Sequence, residues 1–232
     1  MIMSSLLKYL VGCLIFGFVL ADNDGGESSV QLELYYEALC PGCTKFVTTQ
    51  LYPTWKKLHE YGILSVFLYP FGNARETRLP NGTYQYNCQH GEEECRGNII
   101  EACIIKGANN DANIFMPTIA CIEDNVQSGK PVEDAFDVCV GFFMAKKSGS
   151  GVRECADGPE GIRLMHKIAV RTNQLEPPHN YVPWLTFNGI HREDYNDEAM
   201  SNLLGLVCDL YKGTSKPKIC VKTFHPNDVH ST

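Results

Sequence analysis

No run of basic residues in this 232-residue sequence is longer than two, and Lys and Arg (20) are outnumbered by Asp and Glu (27), for a net charge of −7. That balance argues against a nucleic-acid polyanion as partner, because such binding needs a basic face. No internal repeat is found. Beyond residue 21 no stretch is long and apolar enough to cross a bilayer. Charged residues make up only 20%, whereas hydrophobic residues reach 44%. A chain of this length and composition buries a sizeable core, which excludes wholesale disorder.

Residues 1–21 read MIMSSLLKYLVGCLIFGFVLA. One Lys precedes an apolar run from Tyr9 to Leu20, and Val19 and Ala21 supply small residues at the −3 and −1 positions of a cut. The pattern is that of a secretory signal peptide; the alternative is an uncleaved anchor. Removing the signal takes Cys13 with it and leaves ten of the eleven cysteines. An even count in a secreted chain points to a disulfide framework. Asn81-Gly82-Thr83 is a sequon in a turn-like stretch after Pro80, so Asn81 is a candidate glycan acceptor. Residues 22–29 are polar and read as a loose N-terminus or pro-segment.

From Val30 the residues Leu32, Leu34 and Tyr36 alternate with Glu33, Tyr35 and Glu37, which marks a strand. Next come Cys40-Pro-Gly-Cys43 and a helical pattern of Val47, Leu51, Trp55 and Leu58, which Pro53 must kink or restart. Gly62 closes that helix. Residues 63–69 form a continuous apolar run of strand length. Residues 30–70 thus spell a βαβ unit with a CxxC at its first strand-to-helix junction. Residues 71–158 form a cysteine-rich insertion whose periodic pieces predict helices near 92–106, 112–122 and 131–146, with 147–158 as a loop. The second half, 159–213, opens with a helix from Pro159. It continues through a Trp184–Phe187 strand, an Asn188-Gly189 hairpin turn, and a helix near 197–211 capped by Asp194 or Asn196. A tail, 214–232, follows.

The CxxC carries the chemistry. A helix N-terminus presents unpaired N–H groups and the positive end of the macrodipole, and both stabilise a thiolate on Cys40. Cys43, one turn on, closes a redox-active disulfide with it. The expected sequence of events is attack by Cys40 on a substrate disulfide, then release by Cys43, with an external thiol reducing the enzyme again. Val182-Pro183 before a strand matches the cis-proline of thioredoxin-like folds, which lies beside the CxxC and whose preceding backbone groups pair with extended substrate. Two alternatives stay open: two structural cysteines bridged elsewhere, or half of a zinc site completed by Cys88, His90 or Cys95. No metal is expected.

Residues 88–103, CQHGEEECRGNIIEAC, resemble the signature of the gamma-interferon-inducible lysosomal thiol reductase family in Cys88, Gln89, His90, Gly91, Glu94, Cys95, Asn98 and Cys103. The stretch Tyr36–Cys40 with Cys43, and Tyr181-Val182-Pro183-Trp184 with Asn188-Gly189, also resemble that family. The resemblance spans roughly 30–221. It implies an α/β, thioredoxin-like fold with a helical, cysteine-rich insertion, similar to DsbA-type oxidoreductases. The implied activity is reduction of protein disulfides at acid pH in the endosomal and lysosomal lumen. No bound cofactor is expected, only an external small thiol such as cysteine or glutathione as reductant. The expected partners are disulfide-containing proteins, with no membrane attachment after signal cleavage. His90 is read as a packed, hydrogen-bonded histidine within a turn and cap. Cys208 and Cys220 are paired as neighbours across a helix end, while the pairing of Cys88, Cys95, Cys103, Cys121, Cys139 and Cys155 stays open.

Acid operation calls for a Cys40 pKa below 6 and an accessible thiol. Thioredoxins place a buried carboxylate under the second cysteine; with Leu32, Leu34 and Tyr36 facing inward, none is expected here. Two rivals remain. One is an oxidase or isomerase of the early secretory pathway, which the tail His-Ser-Thr, unlike a KDEL-type signal, disfavours. The other is a non-enzymatic, disulfide-rich binding protein.

Overall fold

The computed structural model describes residues 29–221; the signal segment, residues 22–28 and the last eleven residues, 222–232, lie outside the described residues. Strand β1 (Val30–Tyr36) is the middle of a three-stranded sheet. Strand β2 (Leu64–Pro70) lies parallel to it, with Val30 opposite Leu64 and Tyr36 opposite Pro70. Strand β5 (Trp184–Phe187) flanks it on the other side, antiparallel, with Tyr35 opposite Trp184. Leu32, Leu34 and Tyr36 are fully buried on one face, as the two-residue period requires. On the other face the Glu33 carboxylate accepts from Thr186 Oγ1 and pairs with Arg171.

The β1–β2 connection is helical. Helix α1 (Pro41–Phe46) passes through a π-turn, Val47–Leu51, into α2 (Tyr52–Leu58). The helix runs on without a break, since Phe46, Leu51 and Tyr52 all keep right-handed helical angles, and Pro53 follows the π-turn directly, the irregularity that a proline inside a helix calls for. Gly62, at φ 66°, ends the segment in the left-handed conformation.

Between the two halves stand a polar ribbon, β3 (Arg75–Arg78) with β4 (Tyr84–Asn87), and helices α3 (Glu92–Gly107), α4 (Ala112–Gln127), α5 (Val132–Phe143) and α6 (Lys146–Asp157). Disulfide Cys88–Cys95 fastens the end of β4 to the first turn of α3. Cys103–Cys155 joins α3 to α6, and Cys121–Cys139 joins α4 to α5. Helix α7 (Pro159–Asn173) leads back to β5; α8 (Glu193–Leu210) and the short α9 (Lys218–Val221) follow, joined by Cys208–Cys220.

Several local expectations change. Segment 147–158 is the helix α6, not a loop. Its glycines disfavour a helix in isolation, but tertiary contacts override them. Arg153 pairs with Glu133 and Asp137 of α5, and Val152 and Cys155 are buried. The ribbon β3–β4 is barely legible in the sequence, because RETR carries no apolar alternation and YQYN only the two tyrosines Tyr84 and Tyr86, half-buried on one side. Beyond Asn188-Gly189, both at positive φ, the hairpin shrinks to one bridge, Phe187 with Ile190. Helix α8 starts at Glu193 without a side-chain cap, so neither Asp194 nor Asn196 plays that part.

Candidate active site

The chain leaves β1 through Glu37-Ala38-Leu39 and reverses into α1. Leu39 takes the left-handed conformation at φ 67°, which a branched L-residue adopts only where its surroundings hold it there. Cys40 follows as the N-cap of α1: its Sγ accepts from the Cys43 N–H at 3.3 Å, and its carbonyl accepts from Thr44 N at 2.9 Å. A sulfur at an N-cap position replaces the usual side-chain oxygen.

The two thiols are unalike. A hydrogen bond from the Cys43 thiol holds the Cys40 pKa down to about 7, against its burial; the Cys43 and Gly42 N–H groups help, and the Glu37 charge opposes. The expected value below 6 is not reached, because burial and a neighbouring carboxylate both disfavour the anion. Cys43 is pushed far up by burial and by Cys40 itself, so it stays protonated while Cys40 is the anion. Nor is the expectation of an accessible thiol met: Cys40 is buried, at 7% exposure, because the turn packs into the core, and Cys43 is fully covered.

Pro183 lies beside the same turn. The Val182–Pro183 bond is cis. A methyl group built on Gly42 would lie 3.5 Å from Pro183 Cδ, 4.0 Å from Cys40 Sγ and 4.0 Å from the Val182 carbonyl oxygen. The structure thus brings Cys40, Gly42, Val182 and Pro183 together from opposite halves of the chain. Asn196 braces this junction from α8: its Oδ1 accepts from Leu185 N at 3.0 Å, and its Nδ2 donates to the Pro183 carbonyl at 3.5 Å.

The insertion forms the seat beneath the CxxC. Ala38 N donates to Asn98 Oδ1 at 2.8 Å. Gly97 admits Ala38 so closely that a methyl group there would lie 2.6 Å from Ala38 Cβ. The Tyr36 hydroxyl donates to Glu101, and the Thr44 hydroxyl, beside Cys43, donates to Glu123. Glu101 and Glu123 are both completely buried; burial raises both pKa values, and the nearby Glu123 charge raises Glu101 further. The expectation of no buried carboxylate near the second cysteine is therefore wrong. The acids come from α3 and α4 of the insertion, not from the strand that leads into the CxxC.

These residues have one sequence signal. Glu94, Asn98 and Glu101 recur at helical spacing along α3, and all three are 0% exposed. A polar stripe on the buried face of a helix marks partners elsewhere. Glu123 carries no such mark.

Among the described residues the remaining cysteines are consumed in four disulfides, leaving Cys40 and Cys43 as free thiols. The zinc alternative loses both of its candidate cysteine ligands, since Cys88 and Cys95 are bonded to each other, and only His90 is left of the three. Asn81 sits exposed in the turn between β3 and β4, with its Oδ1 accepting from Thr83 N at 3.0 Å. No helix of the described residues is long and apolar enough to cross a membrane.

Comparison with known proteins agrees with this geometry. A crystal structure of Chlamydia trachomatis DsbA superposes with a TM-score of 0.50 at 11% identity, covering 77% of this chain and 88% of that one. The fold is thus the DsbA-like, thioredoxin-type α/β arrangement. The family model for gamma interferon inducible lysosomal thiol reductase matches residues 31–142. The gamma-interferon-inducible lysosomal thiol reductase of Carassius auratus is 46% identical over 193 residues, 83% of this chain and 72% of that protein. Its namesake from Mus musculus is 40% identical over 191 residues, 82% of this chain and 71% of its own length. With a free CxxC at the N-terminus of a helix and relatives of this identity and coverage, the chain belongs to the gamma-interferon-inducible lysosomal thiol reductase family.

Proposed function

We propose that this thiol–disulfide oxidoreductase reduces disulfides of protein substrates at acid pH in the endosomal and lysosomal lumen, with Cys40 attacking and Cys43 resolving. The carrying observation is the pair of free thiols with opposite pKa shifts, one anionic near neutrality and one held as a protonated reserve. The Cys40 thiolate attacks one sulfur of the substrate disulfide, and the departing sulfur takes a proton. Cys43 then gives up its proton, attacks Cys40 Sγ and releases the second substrate sulfur as a thiol. Two equivalents of a small thiol, such as cysteine or glutathione, reduce the Cys40–Cys43 disulfide and leave as their own disulfide. The Val182 backbone beside Cys40 offers the extended substrate segment its pairing edge. The exposed Asn81 carries a glycan, and the lumenal address follows from the lysosomal relatives.

Insulin-disulfide reduction measured from pH 4 to 8 tests this. Cys40→Ser should abolish activity, and Cys43→Ser should accumulate a mixed disulfide on Cys40. Retention of activity in Cys40→Ser would overturn the assignment. A rate that vanishes at pH 5 while persisting at pH 8 would overturn the acid compartment.

A further inference from the structure

On the Glu33 face of the sheet a cavity of about 440 Å³ opens, lined among others by Glu33, Arg171, Glu176, Trp184, Thr186 and His191. Most polar groups around it have partners. Glu33 accepts from Thr186 Oγ1 at 2.8 Å and from the Tyr35 hydroxyl at 3.2 Å, and it pairs with Arg171. His191 lies flat on Trp184, with ring centroids 3.4 Å apart, and its Nδ1 bonds to the Leu185 carbonyl oxygen at 2.8 Å. Trp184 is the exception. The residue is buried, and its indole Nε1 has no hydrogen-bond partner among the described residues. A buried N–H without an acceptor is costly and rare, and an indole can only donate. What completes it is an oxygen acceptor.

The charged groups specify that acceptor further. Arg171 is half exposed, and its guanidinium carries five N–H donors, more than its bond to Glu33 uses. Glu176 is exposed at the same cavity. A fitting ligand presents an anionic oxygen to the Trp184 N–H and Arg171, and a cation to Glu176 or Glu33. The carboxylate and ammonium of an α-amino acid meet both demands within one small group. The cavity volume is in the range of small-molecule sites.

Its place in the fold connects it with the thiols. Trp184 directly follows Pro183, which borders the turn of Cys40 and Gly42. Trp184 is also paired with Tyr35, one residue before β1 ends at Tyr36 and the chain turns toward Cys40. We infer that this cavity binds the amino-acid end of the small thiol that reduces the Cys40–Cys43 disulfide, its carboxylate on Trp184 Nε1 and Arg171 and its ammonium on Glu176 or Glu33. The inference rests on the reading of a small thiol as reductant and gives that thiol a binding site on the chain.

The test is isothermal titration calorimetry on the oxidised full chain with the thiol-blocked analogues S-methylcysteine and S-methylglutathione, which cannot exchange with Cys40. Saturable binding is expected, and the tighter of the two identifies the source of the amino-acid group. S-methylcysteamine, which lacks the carboxylate, should bind at least about tenfold more weakly than S-methylcysteine. Trp184→Phe keeps a ring against His191 and removes the N–H, so it should weaken binding about tenfold, and Arg171→Gln should do the same. Absence of saturable binding to wild type in the millimolar range overturns the proposal, as do unchanged affinities in the two folded variants. Should the variants not fold, S-methylcysteamine binding as tightly as S-methylcysteine overturns it alone. Because the analogues carry no free thiol, failure of the site is separable from failure of the reductant reading, which insulin turnover driven by cysteine or glutathione tests.

Discussion

Replacing Glu101 by glutamine should flatten the pH dependence of this protein's stability. Glu101 is fully buried beside Glu123, and burial holds its pKa well above the carboxyl value. The fold therefore keeps a proton that the unfolded chain releases above about pH 4.3. A group raised in this way contributes stability that is complete below the unfolded pKa and is lost as pH rises toward the folded one. The loss is at most about 1.4 kcal/mol for each pH unit over which the fold keeps the proton and the unfolded chain does not. Glu37 and Glu123, also raised by burial, add in the same direction. His179 works the other way, because burial lowers its pKa, but it is common to both proteins and cancels in their difference. The amide introduced by Glu101→Gln retains an oxygen for the Tyr36 hydroxyl and cannot ionise. Urea unfolding followed by tryptophan fluorescence, with the structural disulfides intact, gives the stability of each protein at pH 4.5, 5.5, 6.5 and 7.5. Wild type should lose stability as pH rises, and the variant should lose less per unit, by up to about 1.4 kcal/mol. Parallel curves for the two proteins would refute a buried proton at this site.

Two further changes probe the seat under the CxxC. Gly97→Ala should lower the reductase rate and cost about 1–3 kcal/mol, because the new methyl would meet Ala38 Cβ at 2.6 Å and neither side chain can rotate away. Rates of insulin reduction and denaturation midpoints check it, and unchanged values would mean that α3 yields freely. Removing the α3–α6 staple with Cys103→Ala and Cys155→Ala should cost about 2–4 kcal/mol, since the bridge closes a span of 52 residues. Thermal unfolding of the double variant against wild type measures it, and an unchanged midpoint would show that α6 needs no staple.

The elements that position Cys40 are readable because local chemistry and global fold agree there. Leu32, Leu34 and Tyr36 alternate, the CxxC follows the strand, and Pro53 falls at the π-turn that interrupts the regular helix. The junction at Pro183 is readable only as a pattern borrowed from a fold, since nothing local brings residue 183 to residue 42. What escapes the sequence is whatever depends on tertiary company. Segment 147–158 is helical because Arg153 and Cys155 dock it, against the preference of Gly149 and Gly151. Ribbon β3–β4 is held by backbone pairing and by contacts such as Tyr86 OH to the Ile162 carbonyl, and its one periodic trace is the pair Tyr84 and Tyr86, too short to mark a strand.

The carboxylates carry the same lesson further, because judging the active site from one strand could not find acids delivered by another part of the chain. Four contacts from the insertion reach the turn around the CxxC: Asn98 to Ala38, Glu101 to Tyr36, Glu123 to Thr44, and the His90–Glu94 pair to Glu37. Three of the four involve a buried acid. Burying an acid is costly unless it is paired or protonated, and protonation is cheapest at low pH. A seat built from buried carboxyl groups thus grows firmer in the acid range, where the thiol it supports most needs fixed geometry to compensate for a small thiolate population. The insertion is in this sense part of the catalytic apparatus, and its disulfides hold in place the helices that bring those acids to the two cysteines.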